Sequence, residues 1–205
     1  MSSMKNILVV ESSPRGESSV TRQLTKQFVE KLKAKNPSAN FVTRDLTRNP
    51  VPHLEEINIQ AFFTPPADRS AELTKAVALS DTLTDELLAA DTIILAAPMW
   101  NFGIPSVLKA WIDNVSRAGR TFSFGPEGLK GLAAGKKVFI VTSSGSVFSE
   151  GPFASYDMLV PYLKTFLGFI GITDVTLIRA EGVNDPAAQA TSIAKANQLM
   201  EQALA

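Results

Sequence analysis

Three short stretches, Asn6–Val10, Thr92–Ala97 and Lys137–Thr142, are apolar at consecutive positions rather than at alternate ones. Successive side chains of a strand point to opposite faces. A run without alternation therefore reads as a strand buried on both faces, as in a parallel sheet covered by helices. Two further strand-like runs are Asp174–Arg179 and Asn40–Asp45; in the latter Phe41, Thr43 and Asp45 alternate with Val42 and Arg44, as on an exposed edge. Helical spacing fills the intervals. Leu24, Phe28, Val29 and Leu32 mark Val20–Lys35, and Leu73, Val77, Leu83, Leu87 and Leu88 mark Ala71–Ala90. Ser106–Arg117, Met158–Ile170 and Ala187–Leu204 complete the set.

Strands alternating with helices predict an α/β protein with a doubly wound, five-stranded parallel sheet and helices on both faces. The expected strand order is the flavodoxin-like 2-1-3-4-5. A chain of 205 residues without repeats or linkers is expected to form one domain over 1–205. Two excursions exceed what such a fold needs: Thr47–Asp68, with Pro50, Pro52, Pro65 and Pro66, and Phe148–Asp157. Long ordered insertions serve as lids or interfaces, or are mobile.

Composition narrows the chemistry. The formal net charge is zero, which argues against general attraction to nucleic acid or acidic membranes. No apolar run approaches the ~18 residues needed to cross a bilayer, so a soluble, cytoplasmic protein is expected. With no cysteine, disulfides, thiolate nucleophiles and Cys-based metal sites are all excluded. The one histidine, His53, sits in the proline-flanked segment Asn49–His53 with no nucleophile elbow nearby, and reads as a surface or interface loop residue. A multi-histidine metal site is impossible, and no metal is expected. Any redox chemistry needs a bound organic cofactor.

Three loops follow the first, third and fourth parallel strands and so open on one edge of the sheet. After the first comes Ser12–Ser13–Pro14–Arg15–Gly16–Glu17–Ser18–Ser19–Val20–Thr21, where hydroxyls and free helix-start amides suit a phosphate. Simple N-capping by Ser18 or Ser19 is the plainer alternative. After the third comes Pro98–Met99–Trp100–Asn101–Phe102–Gly103–Ile104–Pro105–Ser106, apolar and aromatic on a restrained backbone. It suits a flat ring such as an isoalloxazine, and equally a turn that covers the core with Met99 and Phe102. After the fourth comes Ser143–Ser144–Gly145–Ser146, where Gly145 permits close approach or positive φ. Together the loops match flavin mononucleotide (FMN). No Gly-x-Gly occurs, so a dinucleotide fingerprint is missing. Gly131–Lys137 is a turn rather than a phosphate loop, its glycines being one residue too close.

The chain resembles the FMN-dependent NADH azoreductases, bacterial quinone reductases of flavodoxin-like fold, nearly end to end. The likeness is carried by Ser12–Ser13, Pro98–Phe102, Ile112–Asp113, Arg117–Phe122, Gly125–Leu129 and Phe166–Gly171. The resemblance implies that Ser13, Ser19, Val20 and Thr21 bind the FMN phosphate. Met99, Trp100, Asn101 and Phe102 would line the ring and ribityl chain, and Ser143, Ser144, Gly145 and Ser146 would meet the pyrimidine side. Phe122, Phe124 and Phe169 would border the substrate pocket. This chain has Trp100 and Phe124 where the family has tyrosines, and Ser144 and Ser146 where it has arginine and a second glycine. The activity implied is ping-pong hydride transfer from NADH or NADPH through the flavin to quinones and azo compounds. No side chain is required as an acid. The backbone N–H groups of Asn101 and Gly145 are candidates for steadying negative charge at the pyrimidine end of the reduced ring. A homodimer is expected, with Ile59, Phe62, Phe63, Phe148, Phe153 and Tyr156 as apolar surface. The rival readings are a flavodoxin-type electron carrier, against which the balanced charge argues, and a non-catalytic flavin-binding protein.

Overall fold

The computed structural model describes residues 5–204. In chain order the elements are β1 (Asn6–Glu11), α1 (Val20–Lys35), β2 (Asn40–Asp45), α2 (Glu56–Phe63), α3 (Ala71–Ala89), β3 (Thr92–Ala96), α4 (Ser106–Val115), β4 (Phe122–Gly125), β5 (Gly128–Gly131), β6 (Lys137–Ser143), α5 (Leu159–Phe169), β7 (Asp174–Ala180) and α6 (Pro186–Leu204). The five expected strands are all present within a residue of their predicted ends. They pair in parallel in the order β2-β1-β3-β6-β7. This is the expected 2-1-3-4-5 once the small antiparallel hairpin β4–β5, which the sequence did not announce, takes two numbers.

Both sheet faces are covered, which is why the central strands do not alternate. Leu8, Val10, Ile93, Leu95, Val138 and Ile140 pack under α3, α4 and α5. Ile7, Val9, Ile94, Phe139 and Val141 pack under α1 and α6, with the Phe28 ring edge-on to Phe139 at 4.8 Å. Each such side chain contributes about 1.5–3 kcal/mol on full burial. Strand β2 lies at an edge and is the most exposed of the five, as its alternation predicts.

Helix ends are set locally. Ser19 Oγ accepts the Arg22 amide at 3.2 Å and caps α1; Ser70 caps α3 through the Leu73 amide. At the other end of α3, Lys136 Nζ meets the Leu88 and Ala90 carbonyls, each at 2.7 Å. That explains the lysine in the Gly131–Lys137 turn. Gly131 abuts Gly171 so closely that a Cβ there would lie 2.1 Å from the Gly171 nitrogen.

The insertions are ordered. Thr47–Asp68 contains α2, and Phe148–Asp157 contains a 3-10 stretch, Gly151–Tyr156. His53 is exposed in the segment leading to α2. No helix among the described residues is long and apolar enough to cross a membrane.

Candidate functional site

Strand β1 hydrogen-bonds both β2 and β3, so the loops leaving β1 and β3 diverge at the point where strand order reverses. Ligands bind at such points in open α/β sheets. The loop after β1 is pinned there from three sides. Ser12 Oγ donates to the Ala96 carbonyl at the end of β3, 2.6 Å away and buried. The Ser13 carbonyl accepts Arg22 Nε at 3.1 Å and Nη2 at 2.9 Å. Thr21 and Ser143 share a buried hydroxyl–hydroxyl hydrogen bond of 2.7 Å, joining α1 to the end of β6. The amides of Val20 and Thr21 have no intrachain acceptor among the described residues. They sit at the positive end of a 16-residue helix.

These contacts divide the hydroxyls. Ser12 is taken by the strap, and Ser19 Oγ accepts the cap hydrogen bond as the capping alternative has it, while its O–H donor has no partner among the described residues. Thr21 offers its amide, its hydroxyl being taken by Ser143. Ser13 Oγ, touched only by the Arg15 amide at a long 3.5 Å, retains acceptor and donor capacity.

The loop after β3 makes a two-residue reversal. Trp100 and Gly103 exchange both backbone hydrogen bonds at 3.0 Å, and Asn101 and Phe102 between them have φ of 47° and 72°. Positive φ at both central positions belongs to the primed turns, where glycine and asparagine are at home and phenylalanine is not. This strain in a loop at a sheet edge marks a site. The turn is tied to the β6 loop by the Met99 amide on the Ser143 carbonyl at 2.9 Å. Met99 is half-buried against the core, while Trp100 and Phe102 remain 42% and 49% exposed. The core-covering alternative therefore holds for Met99 and fails for Phe102. Phe102 meets the second insertion instead, 5.5 Å from the Tyr156 ring and 6.2 Å from Phe148.

In the loop after β6, Ser144 donates its amide to the Ala180 carbonyl and its hydroxyl to the Ser146 carbonyl, at 3.0 and 2.8 Å. Gly145 has no positive φ. It is small because Asn184 lies against it, where a Cβ would come within 2.3 Å of Nδ2. Asn184 was not foreseen.

Two charged residues were also missed. Glu11 ends β1 facing α1, and Arg22 reaches it at 4.0 Å while bonding Asp45 at 2.8 and 2.9 Å. Burial pushes the Glu11 carboxyl up to about 7, against the pull of Arg22. Burial also pushes Asp45 up, but hydrogen bonds from Arg22 and Thr47 hold it well below the usual carboxylate range. Neither Glu11 nor Arg22 belongs to a recognisable spacing pattern; only a charged residue closing an apolar strand could have flagged Glu11.

FMN, the cofactor expected from the sequence, fits these residues. Free helix-start amides and the Ser13 hydroxyl suit a phosphate. The exposed rings of Trp100 and Phe102 suit a flat ring system. Among the described residues no cluster of three or more His, Asp or Glu side chains could hold a metal ion.

A family model described as flavodoxin-like fold matches residues 5–204. An FMN-dependent NADH:quinone oxidoreductase of Beijerinckia indica is 46% identical over 199 residues, covering 97% of this chain and 98% of its own length. This chain belongs to that flavodoxin-like oxidoreductase family. A second member, the FMN-dependent NADH:quinone oxidoreductase of Nostoc punctiforme, is 45% identical over 98% of this chain and 99% of its own. Among solved structures of the family, an azoreductase from Bacillus anthracis superposes with a TM-score of 0.90 at 33% identity, covering 98% and 99% of the two chains. An FMN-dependent NADH-azoreductase of the same species, solved in complex with FMN, gives 0.88 at 25% identity over 98% and 97%.

The three phenylalanines that the family resemblance assigns to the substrate pocket do come together. Phe122 lies 4.6 Å from Phe169 and 5.7 Å from Phe124, ring centre to ring centre. They do not join the cofactor loops of their own chain. Helix α5 leads away from the β6 loop and carries Phe169 about 15 Å along its axis. The Ala133 amide on the Ile170 carbonyl then ties the hairpin exit to that far end, just before β7 begins. The insertion aromatics also divide: Phe62 folds back under the Arg117 guanidinium at 4.3 Å, whereas Phe63 is 78% exposed.

Proposed function

We propose that this protein is an FMN-dependent oxidoreductase that takes electrons from NADH or NADPH and delivers them in pairs to quinones and azo compounds. The observation that carries this reading is the convergence, on one sheet edge, of a free helix start and a strained aromatic turn. It occurs in a chain 46% identical end to end to an FMN-dependent NADH:quinone oxidoreductase.

The chemistry that FMN supplies when bound is two-electron transfer, from the nicotinamide in one half-reaction and to the acceptor in the other. The chain's own residues bind, orient and shield. The Ser13 hydroxyl and the Val20 and Thr21 amides hold the phosphate, with Ser19 fixing the helix start that presents them. Met99, Trp100, Asn101 and Phe102 line the ring and ribityl chain. Ser143, Ser144, Gly145 and Ser146 border the pyrimidine side, where the Asn101 and Gly145 amides act as preorganised donors to developing negative charge. Exposed aromatic surface selects flat acceptors by stacking.

Phe122, Phe124 and Phe169 border the acceptor, and a homodimer brings them there. Two-fold association is the commonest closed assembly. Phe124 is 74% exposed on the hairpin, and Trp100, Phe102 and Tyr156 are exposed at the other end of the chain. The hairpin of one copy meeting the loops of the other would cover both surfaces. The reading takes residues 1–205 as one domain and places the protein in the cytoplasm.

Steady-state NADH oxidation by the purified, FMN-loaded protein tests the activity. If nicotinamide and acceptor occupied the same site in turn, double-reciprocal plots at several quinone concentrations would be parallel. Intersecting lines would mean a ternary complex. FMN binding without quinone-dependent NADH oxidation would return the protein to the class of electron carriers or binding proteins.

A further inference from the structure

A cavity of about 560 Å³ lies between the end of α4 and the α2–α3 pair, and no cofactor-loop residue lines it. Its charged wall is built around Arg117, which is only 3% exposed. Arg117 Nη1 donates to Ser80 Oγ at 2.7 Å and to Asp81 Oδ1 at 2.9 Å, while Nε is buried with no partner. A buried guanidinium donor without an acceptor is costly and calls for an explanation.

The surrounding charges do not supply that acceptor. Three guanidiniums, Arg69, Arg117 and Arg120, line the same cavity with only two carboxylates, Asp81 and Asp85. Asp81 is shared between Arg117 and Arg120, and Asp85 pairs with Arg120. Arg69 has no ion pair among the described residues; its Nε is spent on the Ala61 and Thr64 carbonyls at 3.1 and 3.0 Å. Burial depresses the basicity of Arg117, and Arg120 and Arg69 add to the effect against Asp81. The cavity thus carries an excess of positive charge with guanidinium forks to spare. The apolar part of the lining adjoins it: the Phe62 ring stacks on Arg117 at 4.3 Å and is continued by Phe63 and Pro65.

We propose that this cavity binds a small aromatic carboxylate, its carboxylate held by Arg69 and Arg117 and its ring by Phe62 and Phe63. A guanidinium fork matches a carboxylate in the bidentate manner. A cavity of this size exceeds what an inorganic anion needs and lies in the range of small-molecule sites. The carboxylate approaches in the guanidinium plane, at the Nε–Nη2 edge that Ser80 and Asp81 leave free, while Phe62 stays stacked on the face and the ligand ring lies against Phe62 and Phe63. The carboxylate completes the donors left over around Arg117 and offsets the repulsion among the three arginines. This assignment is independent of the flavin reading, since it uses none of the same residues.

The test is a titration of 15N-labelled, FMN-loaded protein with benzoate, benzyl alcohol and inorganic phosphate in turn, following the amide resonances of Thr64, Arg69 and Asp85. Any benzoate that stacks at the flavin loops is read separately, at residues 99–103. Benzoate is expected to shift these resonances saturably at one per chain, and the other two probes to leave them in place. Arg69→Gln, checked for folding by thermal melting, is expected to weaken benzoate at least fivefold; Arg69→Lys, which keeps the charge and loses the fork, replaces it should the glutamine variant fail to fold. Equal shifts with benzyl alcohol would reduce the site to an apolar pocket, and equal shifts with phosphate to a general anion site. Benzoate shifts confined to residues 99–103, or undiminished affinity in the Arg69 variant, would overturn the proposal.

Discussion

Arg22 bonds Asp45 at 2.8 Å through Nη1 yet stops 4.0 Å short of Glu11, whose buried Oε2 has no hydrogen-bond partner. One cation therefore serves two carboxylates unequally. Asp45 takes the hydrogen bonds, and Glu11 is left with a weak Coulombic attraction that burial outweighs.

The consequence is a stability that falls as pH rises through a defined window. Glu11 titrates at about 7 in the fold against 4.5 as a free side chain. Between those values the folded chain holds a proton that the unfolded chain has lost, so folding stability decreases with rising pH. The full effect above neutrality is about 3 kcal/mol at most. Asp45, held low, works the other way: its contribution is present above its unfolded value and is lost only in stronger acid, outside this window. Urea unfolding of the FMN-free protein at pH 5 and pH 8 should show the decline, and Glu11→Gln should flatten it and raise stability at pH 8. A flat profile in the unsubstituted protein would mean that Glu11 finds a partner in solution.

The loop after β1 should behave as an anion site. Ser13→Glu is expected to abolish FMN retention, by placing a carboxylate where the phosphate belongs. Ser13→Ala should cost about 1 kcal/mol, one neutral hydrogen bond. Ser19→Ala should instead cost about 1 kcal/mol of folding stability, because its hydroxyl caps α1. Flavin fluorescence titration and thermal melts separate the two roles. Chromatography of the released flavin should show FMN at about one per chain, and predominantly FAD would refute a terminal-monophosphate site.

The strained turn makes a separate prediction. Asn101 and Phe102 occupy positive φ, a region that costs an ordinary residue about 1 kcal/mol and a β-branched one more. Asn101→Gly should leave thermal stability unchanged or higher, while Phe102→Val should destabilise by about 2 kcal/mol through strain and lost packing on Tyr156. If Phe102→Val melts like the parent, the turn is not strained in solution.

What was legible in the chain divides along physical lines. The sheet and its covering helices could be read because periodicity reports burial, and here both faces are buried. Helix α2 could not: among its residues only Ala61 is buried, and prolines surround it. The hairpin was hidden because Phe122–Gly125 and Gly128–Gly131 are four residues each, too short for alternation to register. The three site loops were recognised from residue type, but their internal division of labour was not. Whether a serine caps, straps or faces a ligand depends on partners such as Arg22 and Ala96, distant in sequence. Glu11 and Arg22 carry no spacing signal at all. The distance of Phe122, Phe124 and Phe169 from the loops follows from the direction of α5, which a resemblance between sequences does not state.

That distance gives the dimer its sharpest test. If the hairpin of one copy serves the loops of the other, two defects on different chains should complement. Phe124 is 74% exposed, so Phe124→Glu should leave the chain folded and able to bind FMN, with acceptor reduction impaired. Ser13→Glu should leave the hairpin intact on a chain without FMN. Each variant alone forms dimers with no working site. In a mixed dimer, the FMN-loaded loops of the Phe124→Glu chain face the intact hairpin of the Ser13→Glu chain, and one site of two is restored. Random exchange in an equal mixture makes half the dimers mixed, so quinone reduction should recover to about one quarter of the parent rate. Light scattering must show about twice the chain mass for the exchange to be meaningful. If dimers exchange and no activity returns, the hairpin serves its own chain or none. An active monomer would mean that the site is complete within one subunit, with the Phe148–Asp157 insertion acting as a lid over Phe102.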